Sequence, residues 1–200
     1  GVMAFARGDY GRAEDLLERS LALFRGVGHK PGIAGALVIP GQMATFRGEH
    51  ARAKELLEES LSLYRDLGED WNVALVLNFL GVIPLSQGDF GRAASLFEEG
   101  LGVARRVGDR LPIRVSLFNL ALSRQAMGDL AGARESLEEG LKLSAEAGDG
   151  ASAAYVLEGL AGLVDDPARA GRLFGAGEAL LDVQGGAPVY AYAPDRSRRD

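Results

Sequence analysis

At 200 residues, with 47% apolar and 25% charged side chains, the chain has the composition of a packed globular protein and not of a disordered polymer. A net charge of -6 argues against direct contact with nucleic acid, which needs a basic stripe to meet phosphates; the basic cluster Arg196, Arg198 and Arg199 is interleaved with Asp195 and Asp200 and reads as a solvated tail. There is no cysteine, which excludes disulfide and thiolate chemistry, and no apolar run reaches the ~18 residues of a membrane span, so a cytoplasmic location is expected.

The chain opens on GVMAFAR, enough for only the last turns of a helix, and then on Gly8-Asp9-Tyr10. The same opening returns as Gly48-Glu49-His50, Gly88-Asp89-Phe90 and Gly128-Asp129-Leu130, 40 residues apart each time. Self-similarity at a fixed period is the signature of stacked supersecondary units, and it overrides any domain count taken from length alone. The units run over 1–28, 29–68, 69–108, 109–148 and 149–183, and residues 184–200 read as a tail of loop or disorder.

In the first unit Ala13, Leu17, Ser20, Leu21 and Phe24 fall on one face of a helix between Tyr10 and Val27. The second unit adds a more apolar first helix, carrying Leu37 and Gly41, before its amphipathic second helix repeats the face as Ala53, Leu57, Ser60, Leu61 and Tyr64. The third unit reads Leu77, Gly81, Ala93, Phe97 and Gly100, the fourth Leu117, Ala121, Ala133, Leu137 and Gly140. The fifth reads Leu157 and Ala161, then, after a three-residue deletion, Ala170, Phe174 and Gly177. A large residue followed one turn later by a small one lets a neighbouring helix approach closely. Second helices end at Gly28, Gly68, Gly108 and Gly148, where glycine closes a helix in the left-handed conformation, and Pro31 and Pro112 sit where a first turn tolerates proline. Nine helices after the N-terminal stub, and no sheet, are expected.

Two prolines break the pattern. Pro40 and Pro84 fall inside predicted first helices, where proline removes a backbone hydrogen bond and typically costs ~3 kcal/mol. They read either as kinks that shape a surface or as drift tolerated by a buried array, the helix broken in two included. The pairs Glu58-Glu59, Glu98-Glu99 and Glu138-Glu139 point away from the apolar face and read as solvated charges, since adjacent residues on a helix diverge.

Catalytic and cofactor chemistry finds little footing. His50 occupies the slot of Tyr10, Phe90 and Leu130, and His29 lies in an inter-helix turn; neither has partners at metal-ligand spacing. GAGEALL at Gly175 lacks the third glycine and the preceding strand of a dinucleotide site, and no GxxxxGK phosphate loop occurs. No enzyme activity, metal or cofactor is expected.

The five-position pattern resembles the tetratricopeptide repeat, in register over about residues 1–183. The resemblance implies an all-α fold: a right-handed α-solenoid of antiparallel helical hairpins, about four and a half repeats here. The second helices run about six residues longer than the family's usual unit, as in extended variants, and the family's first-helix aromatic is replaced by Ala44, Pro84, Arg124 and Val164. The resemblance further implies a concave groove lined by Gly35, Val38, Gln42, Leu75, Asn78, Val82, Val115, Phe118, Leu122, Tyr155 and Glu158. The lysine, asparagine and arginine set with which some members clamp a peptide carboxylate is missing. The run Ala168-Arg169-Ala170 with Leu173 to Leu180 is similar to the last repeat of large bacterial signal-transduction ATPases and LuxR-type regulators.

The expected function is therefore a protein-interaction or regulatory sensor scaffold, a fragment of a multidomain bacterial signalling or transcriptional regulator. Its partner would be a protein or peptide segment, another domain of the same parent chain included. The alternative is a small-molecule effector domain, which requires a closed pocket near Phe118 and Tyr155. The shortened first unit should leave Leu17, Leu21 and Phe24 exposed, and a homodimer through that end is expected.

Overall fold

The computed structural model describes residues 1–184, and over them the chain is a succession of helices and short turns. A stub, α1 (Val2–Ala6), precedes α2 (Tyr10–Gly26), α3 (Lys30–Phe46), α4 (His50–Leu67), α5 (Asp70–Ser86) and α6 (Phe90–Val107). Then follow α7 (Arg110–Ala126), α8 (Leu130–Glu146), α9 (Gly150–Ala161) and α10 (Pro167–Gln184). Among the described residues these are the nine helices after a stub that the periodicity predicts, with no strand. Of the tail expected over 184–200, Gln184 ends α10 and the rest, Arg196, Arg198 and Arg199 included, lies outside the described residues.

Local chemistry sets each boundary. Gly8, Gly28, Gly48, Gly68, Gly88, Gly108, Gly128 and Gly148 all take φ between 64° and 82°, a region open to glycine and strained for a side chain, so every helix from α1 to α8 is closed the same way. At the other end, Asp9, Asp89, Asp129 and Asp149 accept a hydrogen bond from the backbone N–H three residues on, satisfying a donor the helix itself cannot. His29 performs the same service for α3: its Nδ1 accepts from the Gly32 N–H at 3.0 Å, and its ring lies against Phe24. A turn histidine that looks like a spare ligand is a helix cap.

Hairpins form by fitting large residues over small ones. A Cβ on Gly41 would fall 2.6 Å from Leu57, and one on Gly81 would fall 2.4 Å from Phe97, so the absent side chain is what lets α3 meet α4 and α5 meet α6. Gly100 sits 3.3 Å, by the same measure, from the Ala74 carbonyl. Leu37, Leu57, Leu77, Phe97 and Ala93 are fully buried between the helices.

Both α3 and α5 run unbroken through Pro40 and Pro84, so neither proline divides its helix. Pro84 lies in the last turn of α5, and its carbonyl still accepts from the Gln87 and Asp89 N–H groups. One expectation needs correction. Leu17 is buried, not exposed, because α1 folds over it: a Cβ on Gly1 would collide with its side chain. Leu21 and Phe24 are half-buried. The outer carboxylates are solvated, as the sequence suggested, and some also pair across helices. Arg25 bonds Glu59 at 2.7 Å, Arg65 bonds Glu99, and Arg105 bonds Glu139 at 2.8 Å, each pair joining one even-numbered helix to the next.

Candidate functional site

Helices α3, α5, α7 and α9 pack on one another in sequence, whereas the even-numbered helices lean on these and no two of them pack as closely. Elements that converge lie on the inner side of a curved array, so α3, α5, α7 and α9 form the inner wall and α4, α6 and α8 the outer. The array thus offers an inner helix face and, on its outer side, the spaces between diverging helices.

The inner-face positions divide into two groups. Val38 and Gln42 on α3, Leu75 and Val82 on α5, and Leu122 on α7 are half-buried, and Gly35 is exposed. The rest are enclosed by neighbouring helices. Asn78 is 1% exposed: it donates through Nδ2 to the Ala74 carbonyl at 2.9 Å and to Ser116 Oγ at 2.8 Å, and Oδ1 accepts from Asn119 Nδ2 at 3.3 Å. It is a joint between α5 and α7, and its partners meet the cost of burying it. Phe118 and Tyr155, 7% and 6% exposed, meet edge to face with centroids 6.5 Å apart, filling the space in which an effector pocket would have to open. Val115 and Glu158 are buried as well. An accessible strip therefore runs along α3 and α5 and reaches α7 at Leu122, apolar apart from Gln42.

At the α7–α9 junction, Asp149 caps α9 through the Ser152 N–H, takes the Ser152 hydroxyl at 2.7 Å, and meets Arg114 at 2.9 Å. Burial alone would raise the pKa of Asp149; the two bonds from Ser152 and the Arg114 charge outweigh it and hold the carboxyl below its ordinary value. Near the N-terminal end, the hydrogen bond from Arg47 likewise lowers the pKa of Glu14. These ion pairs pin one repeat to the next. Among the described residues no group of three or more histidine or acidic side chains is placed to hold a metal ion, and no helix is long and apolar enough to cross a membrane.

The outer side holds clefts that the sequence reading missed. One, of about 500 Å³, lies between α4 and α6 with α5 as its floor; another, of about 350 Å³, lies between α6 and α8 over α7. They occupy equivalent places, since Leu61, Leu77 and Leu80 of the first recur 40 residues on as Leu101, Leu117 and Leu120 of the second. The difference lies in what fills them. In the second cleft Arg124 reaches across to Glu98 at 3.2 Å, Ser136 at 3.1 Å and the Gly132 carbonyl at 3.2 Å. In the first, Pro84 stands at the place of Arg124 and Leu96 at that of Ser136, and Arg92 replaces Gly132 at the rim. The signal was present in the sequence: Arg12, Arg52 and Arg92 give way to Gly132, Leu16, Leu56 and Leu96 give way to Ser136, and Ala44, Pro84 and Arg124 differ at one slot.

A single kind of relative emerges from comparison with known proteins. A tetratricopeptide-repeat family model matches residues 1–66 and again 33–106, and a second model of that repeat matches residues 115–146. With more than half of its length matched, the chain belongs to the tetratricopeptide-repeat family. No curated protein sequence matches it. Among solved structures it is similar to BtubC (BKLC) from P. vanneervenii, at TM-score 0.68 and 21% identity over 96% of this chain and 80% of that one. It is also similar to aspartyl phosphate phosphatase F from Bacillus subtilis, at TM-score 0.76 and 12% identity, covering 92% of this chain and 49% of that one. A third is a signal-transduction ATPase with numerous domains, bearing a tetratricopeptide-repeat sensor, from Pyrococcus horikoshii: TM-score 0.65, 16% identity, 92% of this chain and 32% of that one. At such identities the likeness is one of fold.

Proposed function

We propose that this chain is a protein-binding sensor segment of a larger bacterial signalling or transcriptional regulator, working in the cytoplasm and without catalytic activity of its own. The observation that carries this reading is the inner strip, where Val38, Leu75, Val82 and Leu122 present half-buried apolar surface on helices locked from behind by the Asn78–Ser116–Asn119 seam. Apolar anchors on a rigid wall, with Gln42 as a polar contact, suit a helix or extended segment of another polypeptide. The repeat sensor of the Pyrococcus ATPase supports placing such a segment within a longer protein. The small-molecule reading is less favoured because Phe118 and Tyr155, beside which it needs a pocket, are buried and packed edge to face.

Self-association through the N-terminal end belongs to the same proposal. Leu17 is covered, but Val2, Met3, Tyr10, Leu23, Val27 and Phe46 remain exposed near that end, and hiding apolar area returns about 25 cal/mol per Å². Light scattering across a concentration series should show a dimer that weakens with Leu23→Asp; a monomer throughout would refute it.

Selection of a displayed random-peptide library on the immobilised chain tests the binding face. Peptides that bind the chain and lose binding to Leu75→Asp and to Val82→Asp, with thermal midpoints retained, support the inner strip. Peptides that bind these variants undiminished would move the site elsewhere.

A further inference from the structure

The outer cleft between α4 and α6 differs from its two neighbours in a way that specifies an occupant. Upstream, the equivalent space between α2 and α4 is spanned by Arg52 and Glu18, 3.9 Å apart. Downstream, Arg124 of the chain itself crosses the space and pairs with Glu98. In the middle, neither device operates. Arg92 is the counterpart of Arg52, yet it pairs with no described carboxylate, and Glu58, the counterpart of Glu18, is taken by Lys54 one turn away at 3.6 Å.

The remaining rim charges are neutralised locally: Arg65 by Glu99, and Asp66 by Lys30 at 4.0 Å. Arg92 is thus the one lining cation of this cleft left without a described acidic partner. Both clefts have a leucine base, but the positions of the next cleft's polar plug are apolar here. Pro84 and Leu96 replace Arg124 and Ser136, and beside them Ile83 replaces Ser123. The three changes act together: they remove the plug, remove its hydrogen-bond partner, and put leucine, isoleucine and proline surface where the plug would lie.

We propose that this cleft is a second docking site on the outer side of the array, and that it takes a large apolar side chain of a partner protein with a carboxylate close to it in sequence. The apolar group seats on Leu80, Ile83 and Leu96, and the carboxylate meets Arg92 at the rim. A volume of about 500 Å³ is ample for one such side chain. An arginine occupant, the kind the next cleft holds from within, is disfavoured by the charge of Arg92 and by Leu96 standing where Ser136 accepts a guanidinium bond. The inference rests on the reading of the chain as a protein-binding array, but on a different face from the inner strip.

The test uses the same displayed random-peptide library, on the wild-type chain and on the double variant Pro84→Arg with Leu96→Ser, which installs the neighbour's plug. The expected result is a class of peptides carrying leucine, phenylalanine or tryptophan within four residues of an acidic residue, bound at least tenfold more weakly by the plugged chain at an unchanged helical signal and thermal midpoint. Because the double variant alters a helix interior, Arg92→Glu provides a second reading at an exposed side chain. It should weaken these peptides about tenfold, and lysine in place of the acidic residue should restore them. Peptides of this class that ignore both changes overturn the proposal, as do selected motifs that are basic, or a library that yields no binder. Binding lost on the inner-strip variants alone would leave the proposed function standing and remove this site. Octanoate contacting the cleft methyl groups by NMR while no peptide does would replace a protein partner with a small apolar acid.

Discussion

The clefts over α5 and α7 share a backbone plan, a period and a leucine-lined base, yet the first is uncrossed, at about 500 Å³, and the second, at about 350 Å³, is crossed by its own arginine. Three substitutions account for the difference: Pro84 against Arg124, Leu96 against Ser136 and Arg92 against Gly132. None falls on the repeated positions Leu77, Gly81, Ala93, Phe97 and Gly100 of the hairpin fit. In a repeat array the positions that agree between units hold the stack together, while those that disagree are free to make one unit a surface unlike the next.

The largest effect should come from the shared framework. Gly81→Ala should lose about 1–3 kcal/mol in urea denaturation, since its Cβ would press on the fully buried Phe97 ring. At the matching slot of the next unit Ala121 already carries a Cβ against Leu137, so Ala121→Gly should cost less, roughly 0.5–1 kcal/mol. Equal costs at the two positions would mean the hairpins do not pack alike.

Next comes the plug. Arg124→Ala should cost about 0.5–1.5 kcal/mol, because Arg124 is three-quarters buried and leaves Ser136 and Glu98 without its bonds. Pro84→Ala has no such network to lose and should restore a backbone hydrogen bond to α5, so it should be neutral or stabilising. Thermal denaturation of the pair reads this contrast directly.

A smaller, pH-dependent effect belongs to Asp149, beyond the arginine-crossed cleft. Its folded pKa lies below its unfolded value, so the folded chain gains stability above the unfolded pKa and loses it as pH falls through the folded pKa. Asp149→Asn should flatten the acid limb of a stability–pH profile; an unchanged limb would show that the Ser152 and Arg114 contacts do not hold the charge. Smallest of all, Glu99→Ala should change stability by less than about half a kcal/mol, since its pair with Arg65 is exposed on both sides.

The hairpins were legible because the two signals that encode them, a helical face and a fixed repeat, are both local in sequence. The glycine at the end of each second helix, the small residue opposite Leu57 or Phe97 and the buried Ala93 are all marked in the sequence itself. The accessibility of the inner face was not. Whether Asn78, Phe118 or Tyr155 lies open depends on the gap between neighbouring inner helices, which no single helix encodes. The arginine–glutamate ladder escaped notice for a related reason: Arg25 and Glu59 lie on different helices 34 residues apart, and each looks solvated when its own helix is read alone. The outer clefts appear in the sequence only when one unit is subtracted from the next.

The chain's lack of cysteine allows one direct test of the contrast between the two clefts. A single thiol placed by Leu96→Cys lines the α4–α6 cleft, and one placed by Ser136→Cys lies beneath Arg124 in the α6–α8 cleft. With a small uncharged maleimide under native conditions, Leu96→Cys should be modified at least tenfold faster than Ser136→Cys, and adding Arg124→Ala should bring the slower site up toward the faster. Equal rates in the two single variants, or a Ser136→Cys rate indifferent to Arg124, would contradict the account.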